Sequence, residues 1–157
     1  MSPEFELLFR IECDVGPVSS LGKMASGERR VVAIDGGRVL PATPGGALTG
    51  RILPGGADWQ WVRSDGITEI AAHYIVATDG GDQIEIHSDG YRHGPAQVMA
   101  RLGRGEPVAP TEYYFRTAVR FHTASADPQL SRLNGLVAFA LGERRAAQVL
   151  LGIYALR

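Results

Sequence analysis

Apolar side chains recur at every second position along much of this chain. Phe5, Leu7, Phe9, Ile11 and Cys13 alternate with Glu6, Leu8, Arg10, Glu12 and Asp14. That spacing gathers one set on one face of an extended strand. Residues 112–123 do the same: Tyr113, Phe115, Thr117, Val119, Phe121 and Thr123 share one face, and Tyr114, Arg116, Ala118, Arg120 and His122 the other. In residues 67–78, Ile70, Ala72, Tyr74 and Val76 lie opposite Glu69, Ala71, His73 and Ile75. Shorter extended runs are expected at 28–34, 38–40, 47–53, 60–63, 83–88, 136–141 and 146–156, with 16–27 as a loop or short crossing segment able to cover a barrel mouth. Turns are expected at Asp35-Gly36-Gly37, Ser64-Asp65-Gly66, Asp79-Gly80-Gly81-Asp82, Asp89-Gly90 and residues 142–145. The 20 glycines and nine prolines suit a chain of many tight turns. About eight to ten short strands predict an all-β fold, an antiparallel barrel or sandwich, of which a closed barrel would leave no exposed edge.

Two short helices interrupt the strands. Gly94-Pro95 opens the first, which Gly103 closes, and Asp127-Pro128 opens the second, with Asp127 as N-cap and Gly135 just past its end. They fall in connections between strands, so no βαβ series and no Rossmann fold is expected. The 157 residues predict one domain, 1–157.

Composition narrows the function classes. The net charge of −1, with mixed signs, offers no footprint for nucleic acid. No apolar run reaches membrane-spanning length, and the first residues lack the apolar core of a signal peptide, so a cytoplasmic location is expected. The lone Cys13 excludes an intrachain disulfide and reads as a small buried hydrophobe, since no nearby cation would activate it. The four histidines, His73, His87, His93 and His122, lack metal-ligand spacing, so no metal and no other cofactor is expected. No nucleophile elbow or phosphate loop is present.

The unusual chemistry is concentrated in residues 50–61, Gly-Arg-Ile-Leu-Pro-Gly-Gly-Ala-Asp-Trp-Gln-Trp. Pro54-Gly55-Gly56 breaks a strand, Asp58 follows, and Trp59 and Trp61 share a face if the strand resumes. Asp58 has two readings: a turn residue bonded to backbone amides between core tryptophans, or an acid whose pKa is raised beside an apolar ring.

Pro54-Gly55-Gly56-Ala57-Asp58-Trp59 resembles the signature of a bacterial and fungal family known as domain of unknown function 3237. His73-Tyr74 followed by Thr78-Asp79-Gly80 fits in order, as do Tyr114-Phe115-Arg116-Thr117 with Phe121 and Thr123, and Leu133-Asn134. The resemblance spans residues 5–154 and departs at His73, His122 and Arg132. It implies a small β-barrel, of calycin-like or allene-oxide-cyclase-like type, and no settled activity.

Three functions follow as alternatives. The first is a cofactor-independent isomerase, lyase or cyclase acting by general acid/base chemistry on a small, mostly apolar, oxygenated or aromatic molecule in the barrel. Its catalytic residues would be Asp58, Tyr74 and Arg116, and its substrate-binding residues Trp59, His73, Thr117, Phe121, His122 and Asn134. The second is a lipocalin-like binding protein in which Asp58 and Arg116 orient a ligand. The third is a structural oligomer with tryptophans at a subunit contact; a homo-oligomer fits all three. Arg116 reads equally as a pocket group binding a carboxylate, phenolate or enolate and as a structural residue, either on the strand surface or a buried partner of Asp58, and His73 and His122 read first as half-buried strand residues. Arg116 and Thr117 cannot both enter the pocket without a bulge.

Overall fold

The computed structural model describes residues 1–46 and 48–157. Ala47, expected at the start of a strand, lies outside the described residues. The strands are β1 (Phe5–Met24), β2 (Gly27–Pro41), β3 (Gly50–Ile52), β4 (Gly56–Val62), β5 (Thr68–Thr78), β6 (Gln83–His93), β7 (Tyr114–His122), β8 (Ala138–Arg144) and β9 (Gln148–Leu156). The helices are α1 (Ala96–Gly103), between β6 and β7, and α2 (Pro128–Ser131), between β7 and β8. Every ladder is antiparallel, and pairing of β1 with both β2 and β9 closes the sheet on itself. The short β3 and the longer β4 each pair with β2 and β5 at different heights. They form one stave interrupted at Pro54-Gly55, so nine strands build eight staves. An eight-stave barrel has an interior that side chains fill or that holds one small ligand. The expected all-β closed barrel with two short helices is the observed fold.

The alternation decides what is inside. Tyr113, Phe115, Thr117, Val119 and Phe121 are all buried, whereas Tyr114, Ala118, Arg120 and His122 are exposed. In β6 the buried set is Ile84, Ile86, Ser88 and Arg92. Phe9 packs on Phe121, with ring centroids 5.9 Å apart. α1 contributes Val98 and Leu102, one turn apart, to the core. α2 begins at Asp127, whose side chain accepts from the Gln129 amide at 2.9 Å. Its Leu130 is buried. Because successive connections of an antiparallel barrel alternate ends, the two helices lie at opposite ends.

Three expectations about breaks in strands are corrected. Residues 16–27 are not a loop over the mouth: β1 runs to Met24, paired with β2 to Gly27 through three register shifts. Bulges absorb the glycine, proline and serine residues that interrupt the apolar pattern. Asp35-Gly36-Gly37 and Asp89-Gly90 are not turns. Gly37 pairs with Cys13 and Gly90 with Thr117. A Cβ at either position would collide with the carbonyl oxygen of Glu12 or of Arg116. These glycines permit close strand contact where the sequence suggested reversal. The expected turns at Ser64-Asp65-Gly66 and around Gly80 do lie between consecutive strands. Among the described residues no helix is long and apolar enough to cross a membrane.

Candidate functional site

The barrel interior is not filled throughout. A cavity of about 50 Å³ lies among inward-facing residues of β1, β2, β4, β5, β6, β7, β8 and β9. Apolar groups such as Val15, Ile34, Ile70 and Leu151 supply most of its wall. Its polar lining includes Asp58, Gln60, Tyr74, Ser88, Arg92, Thr117 and Arg144. A mostly apolar wall with a few converging polar groups is the usual make-up of a small-molecule site.

Asp58 enters this space because β4 resumes at Gly56 and alternation turns residues 58 and 60 inward. One carboxylate oxygen accepts from the Ala71 amide at 2.9 Å, and the other from Gln60 Nε2 at 2.7 Å. Gln60, only 2% exposed, accepts in turn from Arg30 Nη2 at 3.2 Å. The chain Arg30–Gln60–Asp58 fixes the carboxylate while leaving lone pairs toward the cavity. Burial raises the Asp58 pKa above the ordinary aspartate value; the Gln60 and Ala71 hydrogen bonds and the charges of Arg92 and Arg144 oppose that shift.

Tyr74 and Arg92 are the strongest anomalies. The Tyr74 hydroxyl and the Arg92 Nε are buried without a hydrogen-bond partner among the described residues. An unmet buried polar group costs about 1–3 kcal/mol, so each calls for an explanation. Burial pushes the Tyr74 phenol well above its usual range, leaving a donor and not a base. Burial pulls the Arg92 guanidinium down to about 10, so it remains a cation at neutral pH. Its guanidinium sits 5.4 Å over the Phe115 ring. Arg144 is a further cation on the wall, its pKa lowered by burial and supported by the charge of Asp58. Ser88 and Thr117 hydroxyls bond one another at 2.6 Å. Cys13 is buried in the wall, and burial pushes its thiol up to about 12, so it remains protonated.

The structure brings Asp58, Tyr74 and Thr117 together at the cavity and places the other expected site residues elsewhere. Arg116 is on the outer face, where it donates to the Phe115 carbonyl at 2.8 Å and stacks 5.4 Å from the Tyr114 ring. Without a bulge in this part of β7, only its neighbour Thr117 enters. Trp59 is 45% exposed and lies outside; the Arg29 guanidinium covers Trp61 at 4.6 Å and Trp59 at 5.5 Å. The tryptophans are therefore neither core nor cavity wall, and enclosure in the barrel, not a tryptophan ring, raises the Asp58 pKa. Phe121 belongs to the packed core beside Phe9. Asn134 clamps the end of β7, accepting from the Thr123 amide at 2.8 Å and donating to its carbonyl at 2.9 Å. His73 and His122 are on the outer wall, His73 hydrogen-bonded to Glu85 at 3.0 Å and His122 within 3.1 Å of it.

Arg92 and Arg144 escaped the sequence reading for one reason. Asp89-Gly90 and residues 142–145 read as turns, which ended the two strands too early. Continuing the alternation Ile84, Ile86, Ser88, Gly90, Arg92 and Ala138, Ala140, Gly142, Arg144 turns both cations inward. The signal was present but masked by glycine.

The comparisons with known proteins fit this barrel. The chain is 38% identical over 131 residues to a UPF0311 protein of Rhodopseudomonas palustris, covering 82% of this chain and 83% of the relative. The crystal structure of a conserved protein of unknown function from that organism superposes with a TM-score of 0.93 at 32% identity, covering 100% of this chain and 99% of the other. A beta-barrel like protein of Acinetobacter baumannii gives 0.83 at 37% identity, with 100% and 98% covered. A protein of Penicillium herquei described as an enzyme shares the fold at a TM-score of 0.72 and 19% identity, with 100% and 96% covered. The family model described as Protein of unknown function (DUF3237) matches residues 3–156, and the chain belongs to that family.

Proposed function

We propose that this protein is a cofactor-independent enzyme of isomerase, lyase or cyclase type, acting by acid/base chemistry on a small, mostly apolar, oxygenated molecule. The observation that carries the reading is the juxtaposition in one cavity of a carboxylate with raised pKa and two buried donors lacking partners, Tyr74 O–H and Arg92 Nε–H. A substrate oxygen between those donors would satisfy both. Asp58 would take a proton from the substrate, negative charge would build on that oxygen, and Tyr74 and Arg92 would stabilise it. The proton would then return from Asp58 to a different substrate atom, leaving the enzyme unchanged. Arg144 adds positive charge at the same wall, so guanidinium groups outnumber the carboxylate and favour an anionic state of the ligand. The description of a fold neighbour as an enzyme also supports chemistry within this barrel.

The test is a thermal-shift screen of small aromatic and terpenoid acids, ketones and lactones against wild type and Asp58→Asn. Hits go to mass spectrometry and chiral chromatography, since an isomerisation leaves the mass unchanged. Tryptophan fluorescence is a poor reporter because both rings lie outside the barrel. Catalysis predicts a product whose formation falls by about a hundredfold or more in Asp58→Asn, with the ligand-induced shift retained. Recovery of every stabilising ligand unaltered would replace the enzyme with a binding protein.

A further inference from the structure

A second constellation lies on the outside of the barrel, on the face of β5, β6 and β7 opposite the cavity. His73 of β5 pairs directly with His87 of β6, and Glu85 of β6 pairs directly with His122 of β7. Glu85 and His87 are two residues apart on one strand and share its outer face. Three imidazoles therefore surround one carboxylate. His73 Nε2 is 3.0 Å from one oxygen of Glu85; His122 Nδ1 and His87 Nε2 are 3.1 and 3.5 Å from the other. The His73 and His87 rings stack with centroids 4.0 Å apart, and His122 meets His87 edge-on at 5.9 Å.

We propose that this cluster is a zinc site, with His73, His87 and Glu85 as ligands and His122 as the fourth. One donor atom from each of the first three residues already lies within 4.8 Å of the others. Donors about 2.1 Å from a tetrahedral zinc ion stand about 3.4 Å from one another, so closing the set takes side-chain rotations that unstack the His73 and His87 rings and bring His122 in. Three imidazole nitrogens and a carboxylate select a borderline-soft divalent ion such as Zn²⁺ over Ca²⁺ or Mg²⁺, which prefer oxygen ligands. Four protein donors complete a tetrahedron and leave no open position, which makes the site structural. The ion would tie β5, β6 and β7 together across their outer wall. Arg120 is the opposing charge at this face: it is exposed and pairs with His87 across β6 and β7. The site does not depend on the chemistry proposed for the cavity.

Isothermal titration of zinc sulfate into tag-free protein, stripped with EDTA and desalted, tests this. The expected result is one zinc per chain, with a higher midpoint of thermal unfolding when zinc is present. The His73→Ala/His87→Ala double variant should bind at least about tenfold more weakly. His93→Ala, altering a ring stacked on Tyr114 away from the cluster, should bind as wild type does. Circular dichroism checks that each variant is folded. If the double variant does not fold, long-range ¹H–¹⁵N spectra of the wild-type imidazoles decide: zinc must shift His73, His87 and His122 and leave His93 unmoved. Absence of binding at millimolar zinc, wild-type affinity in a folded double variant, or a shift confined to other residues would overturn the site.

Discussion

Asp58 and Glu85 stand on the two strands that flank β5, and each takes a hydrogen bond from it. Asp58 faces inward and accepts from the Ala71 backbone amide; Glu85 faces outward and accepts from the His73 side chain. Their acidities move in opposite directions. Burial dominates at Asp58 and raises its pKa, while the His73 hydrogen bond dominates at partly exposed Glu85 and lowers its pKa. The difference teaches that a stave's two faces are separate chemical environments, and that one residue of offset decides which of them a side chain meets. Among the described residues the inner face holds polar groups without partners, whereas on the outer face the Glu85 carboxylate is hydrogen-bonded to His73 with two further imidazoles close by.

The largest expected break in this contrast is Arg92→Leu. It removes a buried donor and the strongest charge stabilising ionised Asp58, so turnover should fall by about a hundredfold. The Asp58 pKa, followed by carboxyl ¹³C shifts, should rise further.

Tyr74→Phe should sharpen the contrast by separating stability from function. Removing a hydroxyl that has no partner among the described residues should stabilise the fold by about 1 kcal/mol in denaturant titrations, while product formation declines. A destabilised Tyr74→Phe protein would mean that the hydroxyl is satisfied in the resting state.

The pH dependence of stability gives the smaller effects. The folded pKa of Asp58 is raised, so the fold favours its protonated form. That contribution is fully present below the unfolded value near 4 and is lost as pH rises through the raised folded value. Asp58→Asn should flatten this decline in thermal unfolding measured across that window. Glu85→Gln in metal-free protein should leave the unfolding midpoint close to wild type, since exposed pairs contribute little.

Much of the architecture was legible because a two-residue period survives without knowledge of partners. Residues 5–14, 68–78 and 114–122 are strands as read, and in the last two the inward and outward sets match the buried and exposed ones; in the first, a register shift between Leu7 and Phe9 leaves Phe5 exposed and buries Leu8, against the expected alternation. Inward Tyr74 and Thr117 followed from the same period. The reading lost its way at several glycines inside strands, though not at Gly50 or Gly152. Gly37 and Gly90 look like turn residues locally, and only the neighbouring strand's carbonyl oxygen shows why a side chain is excluded there. That error concealed Arg92. The expectation for Arg116 came from residue type and resemblance, against an alternation that already placed it opposite Thr117.

By itself, then, the sequence determined which residues share a face, because alternation is a property of the extended backbone. It also marked where Pro54-Gly55 interrupts a stave. The tertiary structure decided which faces turn inward together and which strands become neighbours. Asp58, Tyr74 and Arg92 come from three staves, as do His73, Glu85 and His122 on the outer wall. Their proximity depends on the register of long-range ladders and on barrel closure, and no local spacing encodes either.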